Sequence, residues 1–338
     1  MNFREALALA ESATPAEYVA DSPVIERTAI DPPCHDSEAA VEALLAILRA
    51  RLKAIVHGAA GARLGLMLSG GIDSILVAAV AAREGLPVTA VTVIVRNSSD
   101  APLEDERARV VADALSIPHH TVMLDPNGLA SMARTCCERL GTDELWEVTS
   151  AIPVRAGYEQ LHRLGVTGPI LSGAGSDALF LGGSHLLASP LSEDGLTEYR
   201  ERSLAMVRRN FTRHRLVPDY YERLLDGDAP RFVQVFQTAA FWLYSRRLHP
   251  ALLWAVGSDG RVFDKVILRL AAQRLGIDES LAFTAKAPLQ VSSGVIGGLE
   301  RGARAHLASI PSHRTYADPD TEPAEHTVAR LFLELLRR

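Results

Sequence analysis

Leu64-Gly65-Leu66-Met67-Leu68-Ser69-Gly70-Gly71-Ile72-Asp73-Ser74 reads as a short apolar run that stops at a serine and a glycine pair. The helix-forming run Ile75 to Glu84, closed by Gly85, follows at once. A strand that passes through a glycine turn into a helix is the repeating unit of an α/β sheet. The segments that follow repeat it. Pro87 to Val95 (PVTAVTVIV) is the β-branched run expected of a parallel strand buried on both faces. Glu104 to Leu115 is patterned as an amphipathic helix and His119 to Leu124 (HHTVML) as a third strand. Helical stretches near 127–140 and 150–163 lead to a fourth short strand at Pro169-Ile170-Leu171. This βαβα rhythm predicts an α/β fold with an open, doubly wound parallel sheet.

Upstream, residues 1–36 lack periodicity and hold Pro15, Pro23, Pro32 and Pro33, which suggests a short helix and then a strap. Ser37 is placed to cap a helix over residues 37–56, where apolar positions recur at three- and four-residue steps. Downstream, residues 195–338 read as helices broken by loops, with no convincing strand pairs. The expected organisation is a strap at 1–36, an α/β domain at 37–190 and a helical lobe at 191–338. No internal repeat or low-complexity segment is visible.

Composition narrows the function. The chain of 338 residues is 48% hydrophobic and carries a formal charge of −6, with no run of Lys or Arg. A nucleic-acid partner, which calls for a concentrated basic patch, is not expected. The first residues carry Arg4, Glu5, Glu11 and Glu17 instead of an apolar leader, and no apolar span long enough for a membrane follows, so a cytoplasmic location is expected. Cys34, Cys136 and Cys137 show no metal-site spacing and read as ordinary thiols of a reducing compartment.

The loop Ser69 to Ser74 stands where strand gives way to helix. A helix N-terminus offers unpaired N–H groups and the positive end of its dipole, so it attracts phosphate. Gly70 and Gly71 let the backbone approach an anion, and the Ser69 and Ser74 hydroxyls can donate to it. Asp73 would repel phosphate unless Mg²⁺ lay between them. No Gly-Lys-Ser/Thr follows, which excludes a Walker A loop. A second loop, Ser172-Gly173-Ala174-Gly175-Ser176-Asp177, follows the fourth strand, so both loops can face one crevice beyond the strand ends.

The two loops resemble those of the asparagine synthetase-like ATP pyrophosphatases. Ser69 to Ser74 looks like their PP-loop, and Gly168 to Gly183 (GPILSGAGSDALFLGG) looks like their Ser-Gly-Glu-Gly-x-Asp-Glu-Leu-Phe-Gly-Gly signature. The resemblance runs from about residue 37 to 310 and implies the adenine nucleotide α-hydrolase-like (HUP) type of parallel sheet. It implies ATP contacts from Leu68, Ser69, Gly70, Gly71, Asp73, Ser74, Val93, Ser172 and Gly173, with Mg²⁺ held by Asp73 and Asp177. Lys286, in Lys286 to Gly294 (KAPLQVSSG), resembles a lysine that contacts phosphates during adenylation, so Asp73, Asp177 and Lys286 are the catalytic candidates. Gly260-Arg261-Val262-Phe263-Asp264 looks like a shortened Arg-x-Pro-Phe-Leu-Asp segment, and His119 and His120 like the family's paired strand histidines, expected here to pack and not to bind.

The departures are specific. Glutamine-dependent members begin Met-Cys with a nucleophilic cysteine, whereas residue 2 here is Asn2. The family's Glu between the glycines is Ala174, its next Glu is Ala178, and Glu147-Val148-Thr149-Ser150 lacks the arginine expected nearby. The resemblance implies an ATP-dependent ligase that adenylates a carboxylate, releases pyrophosphate and passes the acyl group to ammonia or an amine. A separate glutaminase and a homodimer are possible partners, and Glu147 is a possible substitute for the base absent at Ala174. Two other readings stay open: a PP-loop tRNA-modifying or sulfur-transfer enzyme, and a nucleotide-binding protein whose catalysis has decayed.

Overall fold

The computed structural model describes residues 3–11, 17–27, 32–59, 61–96, 101–257, 260–284, 288–312 and 318–336. Its centre is a sheet of five parallel strands: β1 (Leu64–Met67), β2 (Val88–Val95), β3 (His119–Leu124), β4 (Ile170–Ser172) and β5 (Phe232–Gln234). The spatial order is β3-β2-β1-β4-β5. Chain direction across the sheet therefore reverses at β1, between β2 on one side and β4 on the other. That is the switch point of an open α/β sheet, where the loops leaving β1 and β4 diverge and leave a crevice.

The helices in chain order are α1 (Arg4–Ala10), α2 (Ser37–Gly58), α3 (Ile72–Arg83), α4 (Ala101–Ala114), α5 (Pro126–Leu140), α6 (Leu145–Arg163), α7 (Ser176–Phe180) and α8 (Glu193–Asn210), followed by α9 (Tyr220–Leu225), α10 (Ala239–Arg246), α11 (Val266–Arg274), α12 (Glu279–Ala282), α13 (Leu289–Ser292), α14 (Val295–Ser309) and α15 (Ala324–Leu336). They cover both faces of the sheet, and the strands show this residue by residue. Leu64, Leu66, Val88, Ala90, Leu171 and Val233 join the core built with α2, α3, α10 and α11. Val91, Val93, Val95, Ile170 and Phe232 join the core built with α5, α6 and α9. The period-two alternation of a strand places apolar groups on both faces, which is why β2 reads as a nearly unbroken apolar run. Each core draws on both sides of residue 190.

Two expectations change. The second half of the chain is not strandless: β5 extends the sheet beside β4, and β6 (Ala255–Val256) and β7 (Val262–Phe263) form an antiparallel pair. The cap of α2 is Asp36, not Ser37, because the Asp36 carboxylate accepts from the amides of Glu38 (2.9 Å) and Ala39 (3.2 Å). The N-terminal residues lie against the body. Cys34 N donates to Arg247 O (2.7 Å), His249 N to Cys34 O (2.9 Å) and Trp242 Nε1 to Val24 O (3.2 Å). Asn2 lies outside the described residues. Among those described, no helix is long and apolar enough to cross a membrane.

Candidate active site

At the switch point the two glycine loops touch. A Cβ added to Gly173 would lie 2.8 Å from Ser74 N and 2.9 Å from Asp73 Cβ, and one added to Gly175 would lie 2.8 Å from Gln237 N. Only glycine allows the second loop to pack this closely on the first and on the segment after β5. Gly175 also has φ of 101°, a left-handed conformation that favours glycine.

The first loop enters α3 with Gly71 as N-cap and no side-chain cap, which leaves the first amides of α3 directed at the crevice. Ser74 is buried and braces the loop: its Oγ donates to Gly71 O (3.0 Å) and accepts from Ser69 N (3.1 Å). The hydroxyl expected to donate to phosphate is thus turned into the loop itself. Leu68 and Val93 are buried in and beside the strands, away from the cavity lining. Thr92 Oγ1 donates to Leu68 O (2.6 Å), so the His119 Nε2 that lies 2.7 Å away must be the donor to Thr92. His119 packs against Thr92, and burial pushes its imidazole below its ordinary value.

Above the loops lies a cavity of about 530 Å³, bordered by Ser69, Gly70, Gly71, Asp73, Ser74, Ser172, Gly173, Ala174 and Asp177 on the sheet side. Arg215, Tyr220, Tyr221, Phe232, Gln234 and Gln237 also border it. The structure thereby brings together all the named loop residues except Leu68 and Val93. Lys286 lies outside the described residues, while Thr284 and Pro288 on either side of it border the cavity.

The residue that sequence reasoning missed is Lys265. It is fully buried, and its Nζ donates to Asp73 Oδ1 (2.8 Å), Asp73 Oδ2 (2.9 Å) and Ser176 Oγ (3.0 Å), with Asp177 Oδ1 at 2.5 Å. A buried ammonium is tolerated only with such compensation. Its backbone has φ of 51°, an uncommon conformation for a residue with a Cβ. The surroundings impose it. Asp264 accepts from Gly183 N (2.6 Å) and from Arg269 Nη2 (2.9 Å), and Arg269 in turn donates to Asp264 O (2.6 Å), Ala282 O (2.7 Å) and Thr284 O (3.0 Å). Burial pushes the Asp264 carboxyl up, but the Gly183 amide, Arg269 and Lys265 together hold it below the usual range. Gly182 supplies the space: a Cβ there would fall 2.0 Å from Asp177 Oδ1 and 2.1 Å from Lys265 Cε.

Arg215 is the second surprise. An arginine from a distant segment reaches Glu147, with Arg215 Nη2 2.5 Å from Glu147 Oε2 and its guanidinium 4.7 Å above the Tyr220 ring. Glu147 is thereby engaged, and it does not border the cavity.

Whether the site suits a divalent cation turns on its donors. Asp73 and Asp177 converge on one point, and among the described residues no group of three or more His, Cys, Asp or Glu side chains is placed to hold a metal ion. A hard cation held here would take two protein carboxylates and complete its shell with water and phosphate oxygens, a common arrangement for Mg²⁺. The residues fit such an ion. No cysteine borders the cavity; Cys34 and Cys136 are buried, and burial pushes the Cys136 thiol up to about 12.

Among known proteins, several solved structures share similarity with the chain. NMN synthetase from Francisella tularensis is 16% identical, with 75% of this chain and 99% of that one covered and a TM-score of 0.34. The NH3-dependent NAD synthetase from Campylobacter jejuni is 16% identical, with 64% and 94% covered and a TM-score of 0.32. The glutamine-dependent NAD+ synthetase from Acinetobacter baumannii is 18% identical, with 83% of this chain but 47% of that one covered and a TM-score of 0.33. No curated protein matches the chain. The family model for asparagine synthase matches residues 48–249, more than half of the chain and a span that contains both glycine loops. The chain belongs to the asparagine synthase family, and its activity class is that of an ATP-dependent ligase.

Proposed function

We propose that this protein joins a carboxylic acid to ammonia or an amine by way of an acyl-adenylate, with AMP and pyrophosphate as co-products. The observation that carries the reading is the convergence of Asp73 and Asp177, one from each glycine loop, at the switch point of the sheet beside a cavity of about 530 Å³. The amides at the start of α3 and the backbone of Gly70 and Gly71 take the β- and γ-phosphates as one leaving unit. Ser172 and Gly173 lie across from them and hold the nucleotide against the first loop. The substrate carboxylate attacks the α-phosphorus; the bond from that phosphorus to the β-bridging oxygen breaks and pyrophosphate leaves. The amine then adds to the acyl carbon, AMP departs with the electron pair of the C–O bond, and the surplus amine proton passes to a base or to solvent.

A divalent ion, Mg²⁺ by the chemistry of the donors, would be held by Asp73 and Asp177 and would neutralise charge on the departing pyrophosphate. Lys286 serves the same end as a compact cation. The chain's own contribution is mostly position: oriented amides and fixed charges that need not reorganise as the bond breaks. Ammonia could come free from solution or from a separate glutaminase.

The test is a product analysis. The purified protein is incubated with ATP, a divalent metal, ammonium and a panel of carboxylic acids, and the nucleotides and phosphates are separated. Acid-dependent AMP and pyrophosphate in equal amounts is the expected result. ADP with orthophosphate would overturn the reading.

A further inference from the structure

We propose that Lys265 is a built-in countercation that keeps free divalent metal out of the Asp73–Asp177 pair, so that metal enters only together with nucleotide. The proposal rests on the functional reading above, because it assumes that these carboxylates serve a metal–nucleotide complex.

Three observations carry it. The first is occupancy. Lys265 Nζ stands 2.8 Å from Asp73 Oδ1 and 2.5 Å from Asp177 Oδ1, so it fills the point on which both carboxylates converge. A magnesium-sized ion binds carboxylate oxygen at about 2.0–2.1 Å and cannot share that point with an ammonium. To bind both carboxylates it must displace Nζ.

The second is closure. The three N–H donors of the ammonium are matched by Asp73, Asp177 and Ser176, and the side chain is wholly buried. The arrangement is fixed from several directions. Gly182 lacks the Cβ that would collide with it, Asp264 and Arg269 hold the backbone on either side, and Lys265 itself takes a left-handed φ of 51°. Lys265 cannot retreat into solvent without dismantling this frame. A displaced ammonium with no new partner would be a buried, uncompensated charge. A polyphosphate in the cavity supplies that partner, so displacement becomes favourable only when nucleotide is present.

The third is residue choice. The chain has only three lysines, Lys53, Lys265 and Lys286, and relies on arginine for its other fixed cations. Two carboxylates converging on a point suit a compact ammonium, whereas a planar guanidinium needs a broader, fork-shaped partner. Lys265 is a positioning residue in this scheme, since it acts by holding the two carboxylates.

The experiment measures Mn²⁺ binding to the full chain by the loss of the free-ion electron paramagnetic resonance signal, with and without α,β-methylene-ATP, after subtraction of the loss that the analogue causes without protein. The wild-type protein should bind Mn²⁺ weakly alone and on the order of 10–100-fold more tightly with the analogue, the usual span of coupling between two ligands. Lys265→Met should bind Mn²⁺ alone at least roughly tenfold more tightly than wild type and show little further gain from the analogue. A gain of affinity cannot come from a damaged fold. If Lys265→Met does not fold, Lys265→Gln takes its place. Equal Mn²⁺ affinity with and without the analogue in the wild type would overturn the proposal, as would a variant that binds Mn²⁺ alone no better than wild type. If the analogue itself fails to bind, the functional reading fails, and the comparison of variant with wild type in Mn²⁺ alone still decides the role of Lys265.

Discussion

Lys265 Nζ donates to both carboxylate oxygens of Asp73, at 2.8 and 2.9 Å, and so ties the first turn of α3 to the start of α11 inside the protein. Asp177, the other carboxylate on the same ammonium, is about half exposed, whereas Asp73 is buried. The two aspartates should therefore respond differently to the same change. Asp177→Asn should lower pyrophosphate release by roughly 10²-fold or more, since it removes a fixed charge from the developing pyrophosphate. It should cost less than about 1 kcal/mol of stability, because the lost partner is well hydrated. Asp73→Asn should lose the same activity and also about 3–5 kcal/mol, the usual result of stripping one partner from a buried ion pair. Urea unfolding beside a pyrophosphate assay checks both. Equal stability of the two variants would mean that the Asp73–Lys265 bond contributes little to the fold.

Glycine content tests the same contact by steric means. A methyl group at Gly182 would fall 2.0 Å from Asp177 Oδ1 and 2.1 Å from Lys265 Cε, while one at Gly302, within the helix Val295–Ser309, meets nothing within 4 Å. Gly182→Ala should destabilise by about 1–3 kcal/mol, as overpacking does, and abolish pyrophosphate release by forcing the two side chains apart. Gly302→Ala should stabilise by roughly 0.5–1 kcal/mol, because alanine loses less conformational freedom in a helix. Thermal unfolding and activity of the two variants together separate a local clash from a general intolerance of alanine.

The strand, turn and helix over Leu64 to Ser74 could be read directly, because glycine placement and apolar runs are local signals. Both glycine loops could be read for the same reason, and the structure brings them into contact. What could not be read is long-range. β5 spans only Phe232–Gln234, too short to show a period, and it follows directly on the turn-forming residues Gly227, Asp228 and Pro230. Lys265 looks like any helix-flanking lysine until the fold brings it to an aspartate 192 positions away. A signal did exist in its rarity, since a chain that uses arginine almost everywhere has kept only three lysines. Arg215 carried no signal at all. It lies 68 residues downstream of Glu147, and only the fold brings the two together.

That Arg215–Glu147 pair is itself testable. Both side chains are largely buried, at 27% and 14% exposure, so the pair is neither fully hydrated nor fully desolvated. The Tyr220 hydroxyl donates to Glu147 O (3.0 Å) and its ring lies under the guanidinium, which adds a second restraint. Arg215→Met, Glu147→Gln and the double variant should form a cycle with a coupling of about 1–3 kcal/mol in urea unfolding. Each single variant should lose more than half of what the double variant loses, because each leaves the other charge half-buried and unpaired. Simple additivity would show the two to be independent, and Arg215 would then be oriented by Tyr220 alone.

Ala174 bears on what the enzyme joins. It borders the cavity between Gly173 and Gly175, and its amide donates to Ser172 Oγ (3.2 Å), so its methyl group belongs to the wall nearest the loop contact. The resemblance places a Glu or Tyr at this position, and a methyl group can neither take a proton nor carry charge. Glu147, the candidate substitute, is bound to Arg215 and does not border the cavity. A positioned base is worth roughly 10²–10⁴-fold in rate. A small, weakly nucleophilic pair such as aspartate and ammonium should suffer that whole loss. A more nucleophilic amine needs less help, and the shorter side chain at position 174 is expected to leave room in the cavity for a bulkier acid. We therefore expect kcat/KM for aspartate plus ammonium to lie at least roughly 10²-fold below that of the best acid and amine in a panel. Steady-state AMP release across acids of increasing size, each paired with ammonium and with primary amines, measures this. The Ala174→Glu variant should narrow the gap by raising the rate with aspartate. If aspartate with ammonium is the best pair for the unaltered protein, the missing base is supplied from elsewhere and position 174 does not set the substrate.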